Sequence, residues 1–379
     1  MSENAPPDNR LDSLRQAIDD IDSQIVSLLS SRQKQVNRIV AVKKEHNLPV
    51  YHPAREEDLI SAMRKQAADA DLDPEFVEEI YRIIMRRSRI EQTGKMAEAA
   101  VRPGATVLIV GGRGEMGRYF ASCFSNAGYT VRILDRDDWD RAAALCAGID
   151  LAVISVPIDI TVRTIENIGP LLPKTAVLTD ITSIKKEPVE AMKRAHKVPA
   201  LGLHPLFGPT TSSLDKQIIV STPARDEEAC RWVTEQLSAW GGIIVRSTPE
   251  EHDEIMAIVQ SLRHFATFAI GRFMEQKKVP IKRTLAFSSP IYRLEMGMVG
   301  RLFAQDPALY AEIIFASDAR KKLLKDYIES LGQTMDMVEK GDREAFVAEF
   351  RRISAWFGPF GEQAIRESSF IIDKLIERF

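Results

Sequence analysis

The stretch Val-Gly-Gly-Arg-Gly-Glu-Met-Gly at 110–117 holds GxGxxG as Gly112, Gly114 and Gly117. An apolar run, Val107–Val110, precedes it, and a helical pattern, Met116–Ser125, follows and stops at Gly128. A second β-branched run then delivers Asp135, close to the ~20-residue spacing of a ribose-binding acid. Each part has a physical task. Gly112 permits a tight turn, Gly114 lets a pyrophosphate approach the backbone, and Gly117 lets helix and strand pack closely. The helix N-terminus stabilises phosphate charge and Asp135 accepts from ribose hydroxyls. Motif and context together predict a dinucleotide site. Asp135 would repel a 2′-phosphate, which favours NAD over NADP, although Arg136 beside it works the other way. The alternative is a glycine turn in an unrelated α/β fold.

Around this loop, short β-branched runs alternate with helical ones: TVLIV, YTVRIL, DLAVISV, AVLTDI, PALGL, QIIVS and GGIIVR. Such alternation predicts a mainly parallel sheet covered on both faces, a Rossmann-type α/β domain over 106–247. In front of it, residues 10–92 read as helices. Leu11, Leu14, Ile18, Ile21, Ile25 and Leu28 step by three and four along a stretch, 8–48, that no Gly or Pro interrupts. That is a heptad seam on one long helix, and it is longer than two following helices can cover, so a second copy of the chain is expected to cover it. Pro49 and Pro53 end this helix; a second fits 54–68, and a third runs from Pro74 to about Gln92. Residues 93–105 have no clear period and read as a linker.

After Arg246 only helical periods remain, over 248–379. Thr248, Pro249 and Glu251 form a helix start as N-cap, N1 and N3. The run EIMAIVQSLRHFATFAIGRFM is apolar nearly all round, so burial is expected, between subunits if not within one. At 379 residues, two or three domains are the default. A net charge of −3 gives no field for nucleic acid or an anionic membrane surface. Cys123, Cys146 and Cys230 form no CxxC, which argues against a zinc site or disulfide framework. Met1–Asn9 lacks a basic start and an apolar run, and no apolar stretch approaches the ~18 residues of a bilayer span. A cytoplasmic protein is expected.

On the N-terminal seam the pattern continues from Leu28 to Arg32, Gln35, Ile39 and Val42, so Arg32 lands on the core-facing stripe; Lys43 shares its face. On the third helix, Ile80 and Ile84 step into Ser88 and Gln92, while Arg55 and Glu56 open the second. Polar groups turned into a bundle are costly unless a ligand with several oxygens fills it. Charges at a bundle edge, paired and solvated, are the other reading.

These residues carry a resemblance. Leu-x-x-Leu-Arg15-x-x-Ile-x-x-Ile-Asp22, Arg32, Lys43, Arg55-Glu56 and Ser88-x-x-x-Gln92 resemble the all-α chorismate mutase family over the whole N-terminal segment, residues 1–92. The resemblance implies an intertwined homodimer with Arg15 supplied across it. Arg15, Arg32 and Arg55 would bind the two carboxylates of chorismate and Ser88 would join the substrate site. Lys43 and Gln92 would meet the breaking ether oxygen, and Glu56 the ring hydroxyl. A Claisen rearrangement needs no nucleophile; it gains from holding one conformer and stabilising charge on the ether oxygen. His52 departs from the Asp that some members carry there.

Of the six histidines, His46, His52 and His196 lie in turns or polar stretches and read as exposed. None pairs at metal-binding spacing, so no metal is expected. His204 follows the run PALGL, within Leu-Gly-Leu-His-Pro-Leu-Phe-Gly-Pro. At a strand's carboxyl end it suits a catalytic group facing a cofactor; a packed histidine in a proline loop is the plainer reading. A second resemblance bears on this choice. Residues 104–379 are similar to the prephenate dehydrogenase family through the glycine loop, Ile-Ser-Val-Pro (154–157), Asp180-x-x-Ser183-x-Lys185, Gly-Leu-His204-Pro-x-Phe-Gly-Pro, Ser-Pro-Ile-Tyr-Arg-Leu-Glu (289–295) and Val-Gly-Arg301-Leu-Phe-Ala-Gln-Asp-Pro.

The resemblance implies that His204, as neutral imidazole, takes the proton of the C4 hydroxyl of prephenate while NAD⁺ accepts hydride and CO₂ leaves. It adds Gly111, Met116, Ser155, Val156 and Pro157 to the cofactor site. Ser183 would orient the hydroxyl and His204, and Arg301 would bind a substrate carboxylate from an all-α dimerisation domain. Lys185, His252 and His264 are further substrate-site candidates, the histidines bordering the cleft and a tyrosine-inhibitor site. No βαββαβ regulatory segment follows, so inhibition by tyrosine is expected near the active site. The two resemblances in this order are those of the bifunctional T-protein family of tyrosine biosynthesis. The competing readings are a dehydrogenase with a dimerisation or sensing bundle, and a different NAD-dependent dehydrogenase of the β-hydroxyacid type.

Overall fold

The structure, a computed structural model, describes residues 7–45, 50–97, 100–197, 199–211 and 213–376. The chain begins with three helices, α1 (Pro7–Glu45), α2 (Pro53–Asp69) and α3 (Pro74–Ala97). At 1.5 Å per residue α1 is about 58 Å long. Its described part ends at Glu45; His46 and Pro49 lie outside the described residues. At α2, His52 is the N-cap, its Nδ1 accepting from the Arg55 amide at 3.2 Å, with Pro53 in the first turn. Few apolar residues are buried among the three helices: Val36, Val40, Ile60, Ala67 and Met85. The heptad seam finds no cover in its own chain, Leu14 being 63% and Leu28 69% exposed.

The third helix runs past Gln92 to Ala97, so the expected linker starts as helix. Thr93 is buried there, and α3 touches the helix Glu227–Ala239 of the α/β part. That burial offsets the ~1 kcal/mol cost of Gly94 in a helix.

Seven strands form one sheet: β1 (Thr106–Val110), β2 (Thr130–Leu134), β3 (Leu151–Ile154), β4 (Val177–Asp180), β5 (Ala200–Pro205), β6 (Ile218–Arg225) and β7 (Ile243–Arg246). Their order is β2-β1-β3-β4-β5-β6-β7, parallel except for the β5–β6 pair. All seven coincide with the β-branched runs in the sequence. Alternate β1 residues enter two cores, Val107 and Ile109 with Phe120 and Phe124, and Leu108 and Val110 with Ile165 and Ile168. Burial on both faces is what makes these strands continuous apolar runs. The chain leaves β1 for β2 on one side and returns to β3 on the other. Ligands of such sheets bind beyond the carboxyl ends of the strands at that reversal.

Two compact units emerge. One holds the three-helix bundle and the sheet; the other holds Pro249–Phe379 with the short segments Pro157–Asp159 and Ser183–Lys186. The second unit is helical, opening with Pro249–Met256, a π-helical stretch Ala257–Leu262, and Arg263–Gln276. Within one chain its apolar first run is left largely uncovered: Ile258 is 58% and Phe273 59% exposed, and only Met256, Ser261 and His264 are fully covered. A helix apolar all round needs neighbours on every side, and one chain supplies them on one. No described helix is long and apolar enough to cross a membrane.

Candidate active sites

The polar positions that the seam pattern turned inward do meet. A cavity of about 570 Å³ is lined by Arg32, Lys43, Arg55, Glu56, Ser88 and Gln92, with His52 and Arg89. Arg32, one of these inward residues, donates from Nη1 to Ser88 Oγ at 2.6 Å, and Ser88 donates on to Ile84 O at 2.9 Å. The serine thus fixes the guanidinium across two helices. Lys43 Nζ donates to Val50 O at 2.7 Å. Burial pushes its pKa below the usual lysine range, and the negative charge of Glu56 works against that fall.

Gln92 is 9% exposed, and its Oε1 has no hydrogen-bond partner among the described residues. A buried amide left so is costly, and a ligand in the cavity would satisfy it, since carboxamide O and N interchange by a flip. Arg55 is exposed at the rim. Arg15 does not reach this cavity in its own chain: it pairs with Asp12 on the solvent side of α1.

Glu56 is not a lone carboxylate. Arg89 Nη1 lies 2.5 Å from its Oε1, and Lys216 Nζ 3.3 Å from its Oε2. Sequence reasoning missed both. Arg89 was findable, because it continues the buried row from Met85 by one helical step of four. Lys216 comes from the loop before β6, and nothing in its local sequence marks it.

At the sheet's carboxyl edge the glycines divide the work differently from the expectation. Gly111, not Gly112, makes the turn: its φ is +81°, and a Cβ there would collide with Ser155 O. Gly112 instead lies against Ile133, where a Cβ would come within 2.5 Å of its side chain. A Cβ on Gly117 would strike Gly111 O and lie 2.8 Å from Gly112 Cα. Gly114 caps the helix α4 (Glu115–Asn126), and a Cβ there would meet only Gly111 O, at 3.3 Å. The free approach lies at Gly114, which fits a pyrophosphate at this helix N-terminus.

Asp135 follows β2; its Oδ2 accepts from the Arg113 amide at 2.9 Å and its Oδ1 from the Arg136 amide at 2.8 Å. The carboxylate is therefore fixed beside the loop, with lone pairs left for ribose hydroxyls. Met116 packs on the core below the loop. Ser155 and Val156 follow β3, the Ser155 amide donating to Val110 O at 2.8 Å, and Pro157 comes next.

His204 lies within β5 rather than after it, paired in register with Val220, and is 3% exposed. Because β5 is parallel to β4, it sits at the same sheet edge as the glycine loop. The loop beyond it is tied to α4 by Phe207, whose ring meets Tyr119 edge-on at 6.0 Å. His196, expected at the surface, is buried at 4%, its Nε2 2.9 Å from Ala176 O. Arg194 and Lys197 beside it are exposed, while the ring lies against the residue that precedes β4.

In the second unit, His252 Nδ1 lies 2.7 Å from Asp253 Oδ1 and the ring is 1% exposed. Asp253 also accepts from the amides of Lys185, at 2.8 Å, and Lys186, at 3.0 Å. Burial alone would raise this carboxyl, but the His252 bond and the two amides outweigh it and hold its pKa low. Lys185 is fully buried, and Ser183 belongs to the same short segment. His264 packs edge-on against Tyr310 at 4.7 Å. Burial, helped by Arg263, pushes its pKa down to about 4, so it is neutral at physiological pH. Arg301 is exposed near the end of the helix Pro290–Phe303.

Comparison with known proteins follows this division. The chorismate mutase type II family matches residues 14–93, the prephenate dehydrogenase nucleotide-binding domain residues 123–246, and the prephenate dehydrogenase dimerization domain residues 248–352. The T-protein of Enterobacter agglomerans is 42% identical over 358 residues, covering 94% of this chain and 96% of that protein. The T-protein of Haemophilus influenzae is 37% identical over 358 residues, covering 94% and 95%. Prephenate dehydrogenase from A. aeolicus, solved with hydroxyphenyl propionate and NAD+, superposes with a TM-score of 0.53 at 18% identity, over 67% of this chain and 97% of that one. At that identity the likeness is one of fold.

Proposed function

The chain belongs to the T-protein family, in which a chorismate mutase precedes a prephenate dehydrogenase, and on that premise we propose how its residues divide two reactions. It is a bifunctional enzyme of tyrosine biosynthesis. It converts chorismate to prephenate, then oxidatively decarboxylates prephenate with NAD⁺ to 4-hydroxyphenylpyruvate, CO₂ and NADH. Residues 1–92 carry the first activity, 93–105 connect, and 106–247 with 248–379 carry the second.

In the mutase cavity, Arg32 and Arg55 bind the carboxylates of chorismate, with Ser88 holding Arg32. Lys43 and Gln92 donate to the ether oxygen as its bond breaks, and Glu56 takes the ring hydroxyl. The uncovered seam of α1 supports a homodimer in which Arg15 of a second copy completes the carboxylate site. Catalysis here is positioning and charge stabilisation, with no covalent step. The observation that carries this reading is the buried Gln92 Oε1, without a partner among the described residues, in a cavity that Lys43 and Arg32 also line.

At the sheet edge, Gly111, Gly112, Gly114, Met116, Gly117, Asp135, Ser155, Val156 and Pro157 hold NAD, which supplies the hydride acceptor. His204, kept neutral, accepts the proton of the C4 hydroxyl. Ser183 orients that hydroxyl, and Arg301 binds a substrate carboxylate through its fork of donors. Lys185, His252 and His264 shape the substrate side. Tyrosine, which carries the hydroxyphenyl group of the product, inhibits by binding at the dehydrogenase site. The enzyme works in the cytoplasm.

One assay tests the pair of activities. The purified chain given chorismate and NAD⁺ should release NADH and CO₂ in equal amounts. Absence of either product defeats the reading.

A further inference from the structure

Four charges join the bundle to the sheet inside one compact unit: Glu56 on α2, Arg89 on α3, and Asp215 and Lys216 in the loop before β6. We propose that Lys216, through this cluster, is a positioning residue of the mutase site, so that the dehydrogenase half of the chain sets the orientation of Glu56. The proposal rests on the reading of the cavity as the mutase site and extends it to residues outside the mutase segment.

The geometry is that of a clamp. Each oxygen of Glu56 has its own cation, Arg89 on Oε1 and Lys216 on Oε2. Arg89 is held from behind, its Nε 3.1 and 3.3 Å from the two oxygens of Asp215. Lys216 Nζ also lies 4.4 Å from the centre of the Tyr51 ring, and Arg89 lies 5.9 Å from it, so the same aromatic ring steadies both cations. The side chains of Arg89 and Asp215 are 9% and 7% exposed, that of Glu56 19%. At this burial the Arg89 pairs are far less screened than surface ones, while the Lys216 side chain is 37% exposed.

Lys216 is aimed by its backbone. Its φ of +58° lies in the left-handed region, which non-glycine residues seldom adopt. Its amide donates to Gly241 O at 2.9 Å, in a turn where Gly241 itself has a φ of +93°.

The functional consequence follows from the carboxylate's remaining capacity. With one cation on each oxygen, Glu56 keeps lone pairs that can accept from a hydroxyl in the cavity, but only in a fixed direction. Glu56 also works to keep Lys43 charged, and an ammonium stabilises negative charge on the ether oxygen better than a neutral amine does. Without Lys216 the carboxylate is free to turn about its link to Arg89. Both the hydroxyl contact and the support of Lys43 then weaken.

The test uses the full chain. In Lys216→Met, chorismate turnover should fall about tenfold, mainly in kcat, while NAD⁺-dependent prephenate oxidation stays within twofold and reports that the chain is folded. Lys216→Arg should restore most of the loss. Glu56→Gln should be as slow with Lys216→Met as without it, within about twofold, because both act through one carboxylate. Asp215→Asn, which loosens Arg89 without touching Lys216, should show a smaller loss of the same kind. Additive effects of Lys216→Met and Glu56→Gln, or normal mutase activity in Lys216→Met, would overturn the proposal. A wild-type chain that does not convert chorismate would instead overturn the reading of the cavity.

Discussion

Arg32 and Ser88, on α1 and α3, are joined by a 2.6 Å hydrogen bond from guanidinium to hydroxyl across the mutase cavity. The serine leaves the remaining guanidinium donors for a carboxylate. Replacing Arg32 by Ala should therefore cost mutase activity about 10–100-fold, the weight of a lost charge-assisted contact. Dehydrogenase activity on added prephenate should be unchanged. Equal loss of both activities would point to misfolding rather than a binding role.

His204 sits at the edge of β5 with the imidazole buried. In His204→Asn we expect hydride transfer to fall about 10²–10⁴-fold, the usual share of a general base, with chorismate turnover and NAD affinity retained. A variant that keeps near-normal hydride transfer would place the base elsewhere.

The two glycines of the loop should respond differently to alanine. At Gly117 a methyl group meets the backbone of Gly111 and Gly112, which cannot yield cheaply. Gly117→Ala should lose about 1–3 kcal/mol of stability by overpacking, seen as a lower melting temperature without ligand. At Gly114 the methyl meets only Gly111 O at 3.3 Å. Gly114→Ala should melt nearly as the wild type but bind NAD weakly in a fluorescence titration.

His264 gives a stability term with a definite sign. Its pKa is about 4 in the folded chain against an ordinary 6.5. Between those values the unfolded chain binds a proton that the folded one does not, so stability is full above about pH 6.5 and is lost as pH falls toward 4. The loss is at most about 3 kcal/mol. His264→Phe, which keeps an aromatic edge for Tyr310, should flatten the unfolding free energy across this window in denaturant titrations. An unchanged slope would assign the acid sensitivity to other groups.

The seam of α1 leaves Ile18 58% and Ile21 55% exposed in one chain. Ile18→Asp together with Ile21→Asp should shift the sedimenting species toward monomer and abolish mutase activity, because Arg15 can then no longer be supplied by a second copy. A double variant that stays dimeric and active would remove α1 from the interface.

Much of this architecture is legible in the residues alone. Strands read as β-branched runs because a parallel sheet buries both faces, which leaves a local signature. Arg32, Ser88 and Gln92 can be placed by counting, since a helix repeats its faces at fixed steps and the apolar seam marks which face turns in. What the pattern does not carry are contacts set by the approach of distant segments. The turn falls to Gly111 because Ser155, from another strand, leaves no room for a side chain there. His196 is buried because Ala176, just before the neighbouring strand β4, offers it a carbonyl, although its sequence neighbours are charged.

The exposure of the run around Ile258 and Phe273 shows the converse: apolarity states that a face needs cover, not which chain provides it. Glu56 belongs to both sides of this division. Its place at the start of the second helix is written in the sequence, but its partners Arg89 and Lys216 stand 33 and 160 residues away. Periodicity is a property of one element and is written in its residues. The ion pairs that orient Glu56 arise only when the sheet's loop docks on the bundle, and no local pattern encodes that meeting.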